Sequence, residues 1–493
     1  MQKQLNPLAD NLNKTLSESG CTVASMLSER GLRAYFPHHG ILGQGAESVG
    51  TEINATIGTA KEDNGDALCF DCLKERIKVP SSAFLYAPSF GVADLRKRWA
   101  SKMIEKNPSL NGKTFGLPVV TTALTHALFL AGQLVVGRGE KVILPDLYWD
   151  NYELIFSEAF GGKLTTFRTF TGKHYNISGL RQKLLSKGDK KIVILNFPNN
   201  PTGYTPTEAE AEAIREVFLE AAEAGKKIVA IIDDAYFGLV YEKGIFRESI
   251  FTKLLDLHKN ILAIKLDGAT KEDYVWGFRV GFITFGMKGL TTEQLKALED
   301  KAAGLVRSTI SSSSNIAQRL LVEAYNDSRY DEEKKAKHAI LEGRYKAIKK
   351  ILRNHQEYKE SFKAMPFNSG YFMCIKPNGV DAEELRKHLI AKYSTGTIML
   401  DERIKTRFES GLLADIEPPD FETRVGILHN KSKNIDLQIN DDLTYYIAEQ
   451  ITMNTRQLEG VVKKLKAYKN LHSNDLSLAV VQNFIRDIIN DSI

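Results

Sequence analysis

Four apolar runs stand out from a mixed chain: KVILPD (141–146), KIVILNFP (191–198), KIVAIIDD (227–234) and NILAIKLD (260–267). Each is short and rich in β-branched residues, and each ends in a polar, proline or glycine-bearing segment. Apolar residues at nearly every position, not at alternate ones, predict strands buried on both faces. Between the runs the period changes. TEAEAEAIREVFLEAAEAG (207–225) spaces its apolar residues three and four apart and stops at a glycine, which predicts an amphipathic helix. Strands alternating with helices predict an α/β fold, with a large domain whose mostly parallel central sheet lies between helices. Functional residues are then expected just beyond the carboxyl ends of the strands.

The stretch DEEKKAKHAILEGRYKAIKKILRNHQ (331–356) predicts a long charged helix joining this region to one of different texture. Beyond it, GYFMCIKP (370–377) and FETRVGIL (421–428) read as strands, separated by polar helical material and a Pro-Pro loop at 418 and 419. A smaller α+β domain, built from the N-terminal segment and the C-terminal part, is therefore expected. The expected boundaries are 1–75 for the N-terminal arm and part of the small domain, 76–340 for the large domain and 341–493 for the C-terminal small domain. The chain after about residue 456 reads as amphipathic helix.

Composition narrows the partners. With 493 residues, 43% of them hydrophobic, the chain can bury more core than one ordinary domain needs. Its 66 basic residues nearly cancel its 61 acidic ones, so no field argues for nucleic acid or an anionic membrane, and a small molecule is the expected partner. No run approaches the roughly 20 apolar residues of a membrane helix, and the start MQKQLNPLADNLNKTL lacks the apolar stretch of a secretory signal. The expected location is the cytoplasm. Four cysteines include a Cys69-x-x-Cys72 pair with no second pair to complete a zinc site; they read as buried thiols, and no metal is expected.

The strand ends carry the candidate chemistry. PNNPTG (198–203) forces a tight turn that holds Asn200 at a fixed angle. Asp233 and Asp234 close an apolar strand, where an unpaired carboxylate is costly, so one of them needs a cationic partner; an N-cap or an ion pair with a lysine would also satisfy it. Lys265 lies inside its strand, where alternation sends it to a solvated edge or lets it snorkel. Lys271 follows the strand after the small residues Gly268 and Ala269. In partly apolar surroundings a lysine there can lose its proton and act as an amine nucleophile or base. Arg279, flanked by Gly277 and Gly281, suits a two-pronged grip on phosphate.

Together these residues resemble the pyridoxal-phosphate-dependent aminotransferases of class I/II, with the aspartate aminotransferase fold (fold-type I). K-x5-G-x-R-x-G matches at Lys271, Gly277, Arg279 and Gly281, N-P-T-G at Asn200 to Gly203, and D-x-A-Y at Asp233 to Tyr236. The likeness extends from INATIGTAKEDNG (53–65) through YAPSFGVADLRKRW (86–99) to TRVGI (423–427). It implies pyridoxal 5′-phosphate as cofactor and a large domain that binds it. Lys271 would be the Schiff-base lysine and proton shuttle, Asp233 would face the pyridine nitrogen, and Tyr236 and Asn200 would meet the ring hydroxyl. Arg279 would clamp the phosphate, aided by Ala123, Leu124 and Thr125 in TTALTHAL (121–128). Trp149 would stack on the ring, and Tyr86 would reach the phosphate from a neighbouring subunit, which implies a homodimer with a shared active site. Arg424 would bind the substrate α-carboxylate, Gly58 would lie over the substrate, and Arg307 in LVRSTISSSSN (305–315) would reach the distal carboxylate.

The sequence departs from the family pattern at Gly268, where relatives carry a phosphate-binding serine, and at Ala123 and Leu124, where they often have serine or glycine. Backbone donors would then do most of the phosphate binding. The implied activity is a ping-pong transfer of the amino group of an L-amino acid, aspartate or another dicarboxylic one, to a 2-oxo acid such as 2-oxoglutarate. An aromatic amino acid aminotransferase and a PLP-dependent aspartate decarboxylase or lyase stay open as alternatives. A PLP-sensing transcription regulator would need a helix-turn-helix module ahead of this domain, and roughly 50 residues before INATIG leave little room for one.

Overall fold

The computed structural model describes residues 81–400 throughout, residues 421–490 apart from 434, 436, 452–454 and 472–475, and short stretches before residue 81. It divides into two compact units, Met1–Arg407 and Phe408–Ile493. The expected boundary at 340/341 lies inside the first of these units.

In the first unit, α1 (Ala93–Lys106) precedes β1 (Val119–Thr121) and α2 (Ala123–Val135). Then come β2 (Lys141–Pro145), β3 (Lys163–Phe167), β4 (Lys190–Asn196), α3 (Glu208–Glu223), β5 (Lys227–Asp233), β6 (Ile261–Gly268) and β7 (Gly281–Gly286). The seven strands form one sheet in the order β1-β7-β6-β5-β4-β2-β3. The pairs from β3 through β6 are parallel, and β7 runs antiparallel to both β6 and β1. The four apolar runs are β2, β4, β5 and β6, as their composition predicts: strands buried on both faces take mostly apolar side chains. The helix expected at 207–225 is α3. It starts in a capping box: Glu210 N–H donates to the Thr207 hydroxyl at 3.2 Å, and the Thr207 N–H to Glu210 Oε2 at 2.8 Å. Such caps contribute about 1 kcal/mol.

After the sheet come α4 (Thr292–Thr309), α5 (Asn315–Tyr325) and α6 (Tyr330–Asn354), the last being the long charged helix read from the sequence. Phe362–Ala364 pairs antiparallel with Ile375–Pro377, α7 (Ala382–Tyr393) follows, and Ile53–Asn54 pairs parallel with Thr395–Gly396. The N-terminal segment thus joins the polypeptide after α6 in a small α+β layer. Of the run 370–377 only its last three residues are strand.

The second unit is different in kind. Its described elements are all helices: α8 (Phe421–Lys433), α9 (Asp441–Gln450), α10 (Thr455–Leu471) and α11 (Leu478–Asn490). Val425, Leu428, Leu443, Ile447, Leu458, Val461, Leu465, Val481 and Ile485 form its own apolar core. The amphipathic tail is as expected, but the strand expected at FETRVGIL is helix, and beyond residue 407 the α+β expectation fails. Phe421, Val425 and Leu428 are spaced four and three apart, so one stretch satisfies both a strand-like apolar run and a helical face. The neighbouring helices decide the matter. No helix among the described residues is long and apolar enough to cross a membrane.

Candidate active site

Strand register assembles the site. Gly281 at the start of β7 lies opposite both Gly268, the end of β6, and Thr121, the end of β1. A Cβ on Gly281 would stand 2.6 Å from the Ala123 carbonyl carbon, and one on Gly268 would stand 2.7 Å from the Val280 oxygen. Only glycine permits that approach, and it brings the first turn of α2 against the points where Lys271 and Arg279 leave the sheet. Three residues here adopt left-handed backbone without being glycine: Ala123 (φ 60°), Tyr274 (φ 56°) and Arg279 (φ 52°). Each conformation costs about 1 kcal/mol or more and persists because the surroundings over-determine it. α2 has no side-chain cap and no acidic residue in its first turn, which leaves its leading N–H groups suited to an anion.

Beside this turn the ends of β4 and β5 carry the polar groups. Asp233, only 2% exposed, closes β5. Burial raises its pKa; the Tyr152 hydroxyl donating at 2.6 Å, the charge of Lys271 and the Ala235 N–H at 3.0 Å work against that rise. Asn196 donates to the Asp233 carbonyl at 2.9 Å and accepts from the Asn200 N–H at 2.7 Å, so the PNNPTG turn is fastened to the strand bearing Asp233. In that turn, a Cβ on Gly203 would lie 2.3 Å from the Phe372 oxygen.

The Lys271 amine stands 4.8 Å from the centre of the Tyr236 ring. Its pKa is lowered, first by burial; the charge of Asp233 opposes this and that of Arg279 reinforces it. Burial holds the Tyr236 phenol well above its usual pKa, so it remains a donor at neutral pH. Trp149, half-buried, meets Tyr152 edge-on at 5.8 Å.

The structure therefore brings together Lys271, Asp233, Tyr236, Asn200, Arg279, Ala123 and Leu124, with Thr125 in the same first helical turn and Trp149 one contact away. Arg307 is exposed in the last turn of α4 and donates to Ser311 Oγ at 2.7 Å. Tyr86 is 93% exposed. Gly58 and the loop at 401–420 lie outside the described residues. Arg424 belongs to the second unit and sits on a helix, where its Nε donates to the Ala448 carbonyl at 2.8 Å. Its expected position at the start of a strand is not what the structure contains.

Sequence reasoning missed two charge networks. Lys265 is neither at a solvated edge nor snorkelling: at 1% exposure it pairs with Asp234 at 2.5 Å and Asp267 at 2.7 Å. Burial pushes Asp234 up to about 6 in spite of that lysine, while the two carboxylates raise the lysine's own pKa. Trp99 and Ser249 donate to Asp267 and Asp234. One signal was available, since strand alternation puts Lys265 and Asp267 on the same face. The second network follows Lys271 directly. Glu272 pairs with Lys106 at 2.8 Å and Lys334 at 2.9 Å, and Asp273 with Lys334 at 3.0 Å. Tyr325 and Tyr330 also donate to Asp273. Tyr152, the donor to Asp233, was also missed, although it follows Trp149 at helical spacing.

These groups fit an aldehyde cofactor that carries a basic ring nitrogen and a phosphate. Asp233 is a buried carboxylate with no ion pair among the described residues, and Thr270 Oγ1, one residue before Lys271, is buried without a hydrogen-bond partner. The uncapped turn of α2 supplies donors for an anion. No cluster of metal-ligating side chains occurs among the described residues.

Residues 52–401 match the family model for aminotransferase class I and II. The aspartate aminotransferase of Bacillus subtilis (strain 168) is 25% identical over 357 residues, covering 71% of this chain and 80% of that protein. A crystal structure of an aminotransferase from Anaerococcus prevotii superposes with a TM-score of 0.62 at 23% identity, covering 81% of this chain and 90% of the other, a likeness of fold. A different relative is the chromosomal replication initiator protein DnaA of Caldanaerobacter subterraneus subsp. tengcongensis, 41% identical over 92 residues, which is 19% of this chain. The chain spans about a fifth of the length of that initiator.

Proposed function

The chain belongs to the class I and II aminotransferase family, whose members use pyridoxal 5′-phosphate, and on that premise we propose that it moves an amino group from a dicarboxylic L-amino acid to a 2-oxo acid. The observation that carries the reading is the pairing of Lys271, its pKa lowered, with the buried Asp233 at adjoining strand ends. Bound at these residues, the cofactor supplies an aldehyde and an aromatic ring able to take up the electrons of a bond broken at the substrate α carbon. Lys271, its pKa lowered first by burial, would offer its Nζ lone pair as nucleophile and then move a proton to and from the α carbon. Asp233, anchored by Tyr152, holds a proton on the ring nitrogen. Tyr236 and Asn200 would hold the ring through its hydroxyl, Trp149 would pack against it, and Arg279 with the N–H groups of Ala123, Leu124 and Thr125 would bind the phosphate.

Arg307, exposed at the end of α4, is the reason for preferring a dicarboxylic substrate. Phe84, Leu85 and Tyr86 are 76%, 68% and 93% exposed, an apolar stretch that a second copy of the chain would cover, and this supports a homodimer in which Tyr86 reaches the neighbour's phosphate site. The test is direct. Lys271→Ala is expected to lower turnover by about 10^4-fold while the cofactor still binds through Arg279 and Asp233; an unimpaired variant sinks the assignment. Aspartate given with 2-oxoglutarate should yield glutamate, whereas release of carbon dioxide would favour a decarboxylase and a preference for aromatic donors an aromatic aminotransferase.

A second reading concerns the helical unit. Outside 52–401 the chain leaves 51 residues on one side and 92 on the other, and these lengths support assigning the 92-residue likeness to 402–493. We infer that Phe408–Ile493 is a module of the kind found in replication initiators, joined to an aminotransferase body and taking no part in amino-group transfer. The role proposed for Arg424 from resemblance is then replaced: it ties α8 to the end of α9.

A further inference from the structure

The phosphate turn is fastened on its far side by a group that the proposed function leaves unused. The Thr122 N–H donates to Nδ1 of His126 at 3.2 Å, so Nδ1 carries no proton and Nε2 does. Nε2 lies 2.9 Å from Thr309 Oγ1, and that hydroxyl donates onward to the Leu305 carbonyl at 2.7 Å. Burial lowers His126 to about 4, which keeps the ring neutral near pH 7, and the Thr122 N–H selects the tautomer. One imidazole thereby spans two segments: the turn before α2, where Ala123 holds a left-handed backbone, and the last turn of α4, which bears Arg307. Further contacts join the same pieces. Thr122 Oγ1 lies 3.4 Å from Ser313 Oγ, Ser89 Oγ donates to the Ser311 carbonyl at 2.9 Å, and the buried Gln318 donates to the Ser313 carbonyl at 3.2 Å while accepting from the Val92 N–H at 2.7 Å. The serine-rich turn is clipped to the phosphate turn and to the segment after Tyr86, and His126 is the member that reaches the backbone of the phosphate turn itself.

We propose that His126 is a positioning residue that locks the phosphate turn to the segment carrying Arg307, so that phosphate affinity and recognition of the distal carboxylate are set by one rigid piece. The idea rests on the aminotransferase reading. Without the imidazole, the strained Ala123 loses the restraint on its N-terminal side, and the N–H groups that should face the phosphate lose their common direction. The Thr309 contact acts at the other end, on Arg307, two residues away.

The full-length protein, stripped of cofactor, gives the test. Binding of pyridoxal 5′-phosphate, of pyridoxal lacking the phosphate, and of inorganic phosphate as competitor is measured for wild type, His126→Ala, His126→Asn and Thr309→Val. His126→Ala is expected to weaken pyridoxal 5′-phosphate and inorganic phosphate about tenfold each and to leave pyridoxal within about twofold. His126→Asn, whose side-chain oxygen can take the place of Nδ1, should restore phosphate affinity to within about threefold. Thr309→Val should spare phosphate affinity and raise KM for a dicarboxylic donor more than for a monocarboxylic one. Equal losses for pyridoxal and its phosphate, no loss at all, or failure of His126→Asn to restore binding would each overturn the proposal. If the wild type binds no cofactor, the aminotransferase reading fails instead, and the two failures are told apart by that first measurement.

Discussion

Two arginines in glycine-bearing motifs, Arg279 and Arg424, met opposite fates. Arg279 stands in G-x-R-x-G, whose second glycine, Gly281, meets the Ala123 backbone at a distance no other residue tolerates, while a Cβ on Gly277 would meet nothing within 4 Å. Arg424 stands in TRVGI, where a Cβ on Gly426 would meet nothing within 4 Å. In the first unit one letter of the motif, Gly281, is a steric necessity where a strand begins. In the second, the same kinds of letters describe one turn of an amphipathic helix with its own core. Matching letters inform about a site only where the backbone geometry needs those letters.

That contrast between a chemically committed unit and an independent helical one can be broken by experiment. The largest effect is expected from Val461→Asp, which places a carboxylate at a position with no exposure in the core of the second unit. It should cost that unit about 4 kcal/mol or more. Thermal unfolding followed by calorimetry should then lose the transition of Phe408–Ile493, while cofactor absorbance and turnover stay within about twofold of wild type. Loss of turnover would join the two units functionally and end the comparison.

Next comes Lys334→Met, which removes the ion pair of Asp273 found among the described residues and one of the two of Glu272, whose other partner is Lys106. Breaking a buried pair in this way costs about 3–5 kcal/mol. The loss should appear in the transition of the first unit only. Although burial works in the other direction, Lys106 and Lys334 hold Glu272 down to about 2. A carboxyl depressed on folding contributes stability above its unfolded value near 4.3, and loses it as pH falls toward 2. The variant raises the folded pKa, so acid unfolding should begin at higher pH than in the wild type. An unchanged acid limb would show that the network does not hold the segment after Lys271.

A third effect tests the strand ends themselves. Asp233→Asn removes the carboxylate that works against the lowering of the Lys271 pKa. Turnover should fall on the order of 10^2 to 10^3-fold, as for other losses of a positioned charge. In the cofactor-free protein the Lys271 pKa should fall further, read from the pH dependence of amine modification. A rise would mean that the two groups do not share a field.

How much was legible follows from the same physics. The runs that became β2, β4, β5 and β6 were readable because a strand covered on both faces is mostly apolar, and the sequence pointed to Asn200, Asp233 and Arg279 because polar groups begin where strands end or start. Lys265 was not, since a lysine within an apolar strand looks the same whether it meets water or two carboxylates. Its partner Asp234 follows the end of the adjacent strand, and pairing across a sheet is not written in local sequence. Glu272, Asp273 and Lys334 were illegible for a related reason: the helix that supplies Lys334 is separated from them by some sixty residues. The second unit was misread because its helical spacing and a strand-like run coincide at Phe421, Val425 and Leu428.

The smallest expected effect bears most sharply on that misreading. Arg424→Ala removes the hydrogen bond from Nε to the Ala448 carbonyl and the stacking of the guanidinium over Phe421 at 5.9 Å. If the arginine only ties α8 to the end of α9, the second unit should lose about 1 kcal/mol, with KM for the amino acid unmoved. If it instead holds a substrate carboxylate by a two-pronged salt bridge, the same variant should raise KM by about tenfold or more, because an arginine–carboxylate pair is worth about twice a neutral hydrogen bond. The lost bond to Ala448 acts on melting and the lost carboxylate on substrate affinity, so the two outcomes fall on separate instruments. Lysine sharpens the choice: Arg424→Lys keeps a cation but cannot reproduce the fork, so it should spare most of the stability and still fail as a substrate clamp. A KM that moves with both variants would return this residue to the active site and dissolve the boundary between the two units.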